Sequence, residues 1–314
     1  MAIPIILDCD PGHDDAMAIL LSAAHPAVEL RAITTVAGNQ VLGKTTLNAR
    51  RICTLAGITG VPIAAGCDRP LARELVIADD VHGDSGLDGP AFGEPTVPVE
   101  DEHAVDLMHR VLAESNEPVT LVAVGPLTNV ATLLRRHPDD RSRIREIVIM
   151  GGSIERGNQT PYAEFNIFVD PEAAAEVIGS GVPVAMHGLN VTHQALATPD
   201  VLDRLRVLGT PLADTCVELL TFFASTYRRL WGFEAPPLHD PVAVAYVIDR
   251  AVVGCVKAPV RIEVTGEHTR GATVIDLHDR MGWEPNVTVG LRLDRERFWD
   301  LMVGAVRYLG DGST

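Results

Sequence analysis

Short runs of aliphatic and β-branched residues recur along the chain, at residues 3–7, 30–36, 119–124, 144–150 and 182–186. Apart from Arg31, Arg145, Glu146 and three threonines the runs are apolar, and they do not alternate with polar positions. That is the pattern of strands buried on both faces, as in a parallel sheet. Between them lie stretches with helical spacing, at residues 14–24, 44–56, 103–113, 127–136 and 171–178. The first opens on Asp14 and Asp15, which suit a helix N-terminus. The second stops before Gly57, a natural C-terminal cap. Strand–helix alternation of this kind predicts an α/β fold, a Rossmann-like open and mostly parallel sheet flanked by helices.

Two segments break the rhythm. Residues 68–98 are rich in Gly, Pro and Asp and weakly periodic, a long connection that calls for a function. The last third carries helices over 211–230 and 241–248, then short strands near 260–264, 272–276 and 286–289. No linker, repeat or low-complexity tract interrupts the chain, so residues 1–314 read as one domain.

In an open α/β sheet, ligands bind beyond the carboxyl ends of the strands. Here those ends are residues 8–15, 37–40, 125–129, 151–166 and 187–190, where most of the polar residues discussed below fall.

Composition narrows the partners. The chain has 42 acidic against 26 basic side chains, a formal charge of −16. That charge gives no attraction to nucleic acid or to an anionic membrane, and favours a small neutral substrate or a site that gathers cations. Five scattered cysteines form no CxxC pair, which points to reduced thiols in a cytoplasm. The first residues, MAIPIILDCD, lack the layout of a signal peptide, and no apolar run is long enough to span a bilayer.

The chemistry concentrates after the first strand. Asp8-Cys9-Asp10-Pro11-Gly12-His13-Asp14-Asp15 packs four carboxylates into eight residues around a forced turn. Neighbouring carboxylates raise one another's pKa, and a divalent cation removes the conflict. Oxygen-only donors suit Ca²⁺ or Mg²⁺ rather than zinc. An acidic turn that merely caps a helix is the plainer alternative. One turn cannot fill a Ca²⁺ shell of about 6–8 oxygens, so further ligands must come from elsewhere. Asp240, in Leu238-His239-Asp240-Pro241, is a candidate, although Asp before Pro is also a common helix N-cap.

These residues match a family. Asp8-Cys9-Asp10-Pro11-Gly12-His13-Asp14-Asp15 resembles the DxDxGxDD signature of the inosine–uridine-preferring nucleoside hydrolases. Further blocks follow in the same order: Ala37-Gly38-Asn39, Val81-His82-Gly83, Gly125-Pro126-Leu127-Thr128-Asn129, Met150-Gly151-Gly152, Gly157-Asn158 through Glu164-Phe165-Asn166, and His239-Asp240. The resemblance implies a Ca²⁺-dependent hydrolase that cuts the N-glycosidic bond of purine or pyrimidine ribonucleosides. It carries the metal ligands onto Asp10, Asp15, the main-chain carbonyl of Val124, and Asp240. It places Asp14, Asn39, Asn158, Glu164 and Asn166 on the ribose, Met150 near it, and His82 and Tyr227 at the base. Asp10 is implied as the base that activates a water held by the metal, and His239 as the residue that assists the leaving base. It also implies a homo-oligomer, dimer or tetramer. Cys9 and Asn190 depart from the family pattern, which often has Thr and Asp there.

The chemistry needs such residues. Cleavage builds positive charge on the ribose, as in glycoside hydrolysis, so a base for water and a proton donor for the leaving group are both required. A histidine titrates in the right range to serve the base.

Two rivals are weaker. A haloacid-dehalogenase-like phosphatase also places DxD after its first strand, but needs a lysine at a later strand end. Lys44 and Lys257 are the chain's only lysines, and neither falls in place. A non-catalytic nucleoside-binding protein would not need Asp10, Asp15, Asp240 and His239 together. His25, His103, His109, His137 and His278 show no partner pattern along the sequence and receive no role.

Overall fold

A computed structural model describes residues 2–312. Strand and helix alternate as the apolar spacing predicts. β1 (Ile3–Cys9) leads to α1 (His13–Ala24), then β2 (Val28–Thr35), α2 (Leu42–Leu55) and β3 (Ile63–Ala65). A long irregular stretch follows, interrupted by the one-turn α3 (Asp79–His82). Next come α4 (Ala104–Glu114), β4 (Val119–Ala123), α5 (Thr128–Arg136), a 3-10 turn (Pro138–Arg143) and β5 (Ile144–Met150). The chain continues through α6 (Phe165–Val169), α7 (Pro171–Ile178), β6 (Val184–His187) and α8 (Leu189–Thr192). The last third holds α9 (Pro199–Arg206), α10 (Pro211–Trp231), α11 (Pro241–Ile248), β7 (Val253–Ala258), β8 (Val260–Ile262), β9 (Thr273–Ile275), β10 (Val287–Leu293) and α12 (Arg295–Gly310).

Eight strands form one sheet in the order β3-β2-β1-β4-β5-β6-β10-β7. The pairing is parallel throughout except at β10–β7. The continuous apolar runs have a direct cause. Ile5, Leu7 and Cys9 enter one core with α1, α2, α11 and α12, while Ile6 enters a second core with α4, α5 and α7. Both faces of β1 are therefore covered, and no polar position is tolerated until the strand ends.

The chain lays β2 and β3 on one side of β1 and β4 on the other. The strand order thus reverses between β1 and β4, the place where open sheets bind ligands. Register brings the two ends level, with Asp8 opposite both Thr34 of β2 and Ala123 of β4.

The C-terminal third differs from expectation. The strand read at 286–289 is longer and joins the main sheet beside β6, while β8 and β9 pair with each other outside it. It pairs on its other side with β7, an antiparallel edge strand whose half-exposed residues carry no continuous apolar signal. α12 packs Phe298, Trp299, Met302, Val303 and Val306 into the first core and lies against α1. No helix of the described residues is long and apolar enough to cross a membrane.

Candidate active site

At the reversal point β1 delivers the acidic turn. Pro11 and Gly12 redirect the chain, and α1 opens at His13. Asp15 then reaches back across the turn. Its Oδ1 accepts from the Asp10 N–H at 3.0 Å, and its Oδ2 from the Gly12 N–H at 2.9 Å and from Asn39 Nδ2 at 3.0 Å. Asp10 Oδ2 accepts from the Asn39 N–H at 2.6 Å. Asp10 Oδ1 is buried and has no partner among the described residues. A Cβ on Gly38 or Gly125 would run into the Asp10 carboxylate, so glycine in the turns after β2 and β4 makes its room. Asp240 stands ahead of α11, but its side chain caps nothing, which removes the plain N-cap reading. Instead, one oxygen each of Asp14, Asp15 and Asp240 lies within 4.8 Å of the other two.

Burial pushes all four carboxyls up, and for Asp10, Asp14 and Asp240 repulsion from neighbouring carboxylates adds to it. Asp14 is raised to about 8. Asp10 and Asp240 are raised well above the usual carboxylate range, and Asp15 less, because main-chain N–H groups favour its charge. Beneath them Asp8 is held at about 7 by burial, although Asn129 Nδ2 and Thr34 Oγ1 donate to it. Buried acids in this number, with an orphaned oxygen and oxygen-only donors, fit a hard divalent cation.

The neighbouring strand ends supply a polar wall. Glu164 caps α6: Oε1 accepts from the Asn166 N–H at 2.9 Å, and Oε2 accepts from Gly152 N–H at 2.9 Å and Ile167 N–H at 3.1 Å. Burial raises its carboxyl to about 7. Asn166 Nδ2 donates to the Val124 carbonyl at 2.7 Å and to the Met150 carbonyl at 3.1 Å, tying the ends of β4 and β5. A carbonyl has two lone pairs, so Val124 keeps one for another partner. Asn158 Oδ1 accepts from the Phe165 N–H at 2.9 Å.

The opposite wall comes from outside the sheet. His82 is buried in α3. Its ring stacks on Phe223 of α10 at 5.4 Å, and its Nδ1 is 3.2 Å from the His13 N–H, leaving Nε2 for the pocket. Arg229 Nη2 donates to the Asp80 carbonyl at 2.7 Å, which binds α10 to α3. His239 is gripped on both nitrogens, Nδ1 at 2.7 Å from Thr192 Oγ1 and Nε2 at 2.6 Å from the Tyr227 hydroxyl. Burial pushes its pKa well below the usual histidine value.

One pocket gathers these residues. Asp14, Asn39, His82, Val124, Met150, Asn158, Glu164, Asn166, Tyr227, His239 and Asp240 line it, and the fully buried Asp10 and Asp15 stand behind that lining. The sequence reading missed Phe223 and Trp231, which line it with Tyr227. Their spacing of four residues on α10 was the available signal. It also missed Phe165, and Thr192, which holds His239.

Comparisons with known proteins agree with this geometry. The family model described as inosine-uridine preferring nucleoside hydrolase matches residues 5–300. The chain is 50% identical over 303 residues to the pyrimidine-specific ribonucleoside hydrolase RihA of Enterobacter sp. (strain 638), covering 96% of this chain and 97% of that one. It is 49% identical over 309 residues to the protein of that name from Escherichia coli (strain K12), covering 98% and 99%. Among solved structures, a purine-preferring ribonucleoside hydrolase from Gardnerella vaginalis superposes with a TM-score of 0.91 at 30% identity, covering 98% of this chain and 99% of that one. The plant nucleoside hydrolase PpNRh1 superposes with a TM-score of 0.90 at 31% identity, with the same coverage.

Proposed function

Since this chain belongs to the inosine-uridine preferring nucleoside hydrolase family, and so cleaves the N-glycosidic bond of ribonucleosides, we propose that it is Ca²⁺-dependent and selects pyrimidine nucleosides. The observation that carries the metal reading is the buried acidic floor with its unpartnered Asp10 oxygen. Asp10, Asp15, Asp240 and the free lone pair of the Val124 carbonyl are the ligands in this reading. Asp14 stands at the boundary, close enough to Asp15 and Asp240 to join them and exposed to the pocket where the sugar lies. A bound Ca²⁺ supplies positive charge that acidifies water and orients the ribose hydroxyls.

The chain's own residues do the rest. Asp10 takes a proton from the attacking water through Oδ1, and the water oxygen bonds to C1′. The electron pair of the C1′–N bond leaves with the base. Carboxylates beside the ring, Asp14 and Glu164, favour the positive charge that grows on the ribose. Asn39, Asn158 and Asn166 hold the sugar, with Met150 packed beside it. With its proton on Nε2, His239 donates to the Tyr227 oxygen, which frees the Tyr227 proton for the departing base. His82 meets the base from the other side.

The pyrimidine-specific relatives, aligned almost end to end, support pyrimidine choice. Five cysteines, all free, fit a reducing cytoplasm, and the family resemblance supports a dimer or tetramer.

The test is base and ribose release from uridine, cytidine and inosine, with and without a chelator. Faster uridine and cytidine cleavage, abolished by chelator and restored by Ca²⁺, is the expected result. Inosine as the better substrate overturns the pyrimidine reading, and chelator-resistant cleavage overturns the metal.

A further inference from the structure

We propose that His109, His137 and Asp140 form a second divalent-metal site, one that takes a zinc-class ion and staples α4 to the end of α5. His109 lies midway along α4, His137 follows the last residue of α5, and Asp140 sits in the 3-10 turn after it. None of the three lines the catalytic pocket.

The geometry is that of a ligand set. One donor atom from each side chain lies within 4.8 Å of the other two. His109 Nδ1 is 2.7 Å from Asp140 Oδ2. The two imidazoles stack with centroids 3.8 Å apart and planes 10° from parallel. Aromatic rings left to themselves prefer offset or edge-on packing with centroids about 4.5–7 Å apart. This pair is closer and flatter, so ring attraction does not explain it. His137 Nε2 is also buried without a partner among the described residues, a costly state for a ring nitrogen. An ion held by both imidazoles and the carboxylate would give the buried His137 nitrogen a partner. Metal–nitrogen bonds are about 2.0–2.1 Å, so small rotations of the half-exposed rings bring the donors to bonding distance.

Donor chemistry separates this site from the acidic floor. Two imidazoles and one carboxylate suit Zn²⁺ and its transition-metal neighbours, with a fourth position for water. The floor offers only oxygen, which suits Ca²⁺. Asp140 is buried, so water competes weakly for its carboxylate. The nearest competing cation is Arg143, 3.9 Å from the other Asp140 oxygen. Its guanidinium is drawn off by the Leu112 and Ala113 carbonyls, at 3.3 and 3.1 Å.

The test uses tag-free protein saturated with Ca²⁺, so that the floor is filled. Co²⁺ is titrated by visible absorption and Zn²⁺ by calorimetry. One equivalent of each should bind, and Zn²⁺ should raise the melting temperature. His137→Ala and Asp140→Asn should each weaken binding beyond the ~10–100-fold that even an outer-shell change costs, while nucleoside cleavage stays unchanged and shows that the variants fold. His109→Gln serves if either misfolds. No equivalent bound by the wild-type protein overturns the proposal, and so does binding that survives these substitutions.

Discussion

The Tyr227 hydroxyl stands 2.6 Å from His239 Nε2, and Thr192 Oγ1 stands 2.7 Å from Nδ1. Both ring nitrogens are therefore engaged, and the polar path from His239 into the pocket runs through Tyr227. Tyr227→Phe should cut kcat by about 10²-fold, the lower end of what a positioned proton donor contributes, and leave KM little changed. The loss should shrink for a riboside whose leaving group departs as a stable anion. Steady-state kinetics on both substrates check this. Equal losses on both would remove Tyr227 from the proton path.

Asp10→Asn tests the base. It should lower kcat by about 10²–10⁴-fold and raise the melting temperature of the chelated protein. The substitution deletes a fully buried acid repelled by Asp15, Asp14 and Asp8. A variant that loses both activity and stability would make Asp10 structural instead.

Gly125→Ala should harm the site more than the fold. The added methyl meets the Asp10 carboxylate, an overpacking that costs about 1–3 kcal/mol. Ca²⁺ titration should show weaker binding, and the chelated variant should melt only several degrees below chelated wild type.

Stability should depend on pH with a definite sign. Burial holds Asp8 and Glu164 at about 7 and Asp14 at about 8. In the unfolded chain these groups lose their protons by about pH 5. Between pH 5 and 8 the metal-free native state therefore binds more protons than the unfolded state, and stability falls as pH rises. The slope is about 1.4 kcal/mol per unit for each such group up to its own native value, about 7 for Asp8 and Glu164 and about 8 for Asp14. Ca²⁺ prefers the ionised acids, so its stabilisation grows over the same window. Thermal melts of chelated and Ca²⁺-loaded protein should diverge from pH 5 to 8. A chelated protein that melts higher at pH 8 than at pH 5 contradicts the burial argument.

What the sequence makes legible follows from burial. β1, β2, β4, β5 and β6 are covered on both faces, so their apolar runs stand out, and the polar residues that follow them mark the strand ends. The acidic turn is legible for the same reason, because β1 tolerates no charge before Asp8. β7 is an edge strand with exposed Lys257, and β3 is three residues long, so neither leaves a run to read. α12 is readable from the apolar spacing of Phe298, Met302 and Val306 after the Asp294 cap. His109 and His137 carry no local signal at all. They meet only because α4 and α5 pack side by side, a fact of tertiary structure.

The pocket's two walls come from different sources. The sheet's strand ends hold the acidic floor, while α3 and α10 form the opposite wall and are fastened to each other by His82, Phe223 and Arg229. Floor residues are constrained on every side by neighbouring carboxylates and glycines. Phe223, Tyr227 and Trp231 project from one helix face, and exchanging them leaves the sheet untouched. Phe223 and Trp231 can therefore be exchanged on one helix without moving the acidic floor, whereas Tyr227 cannot be exchanged without releasing His239.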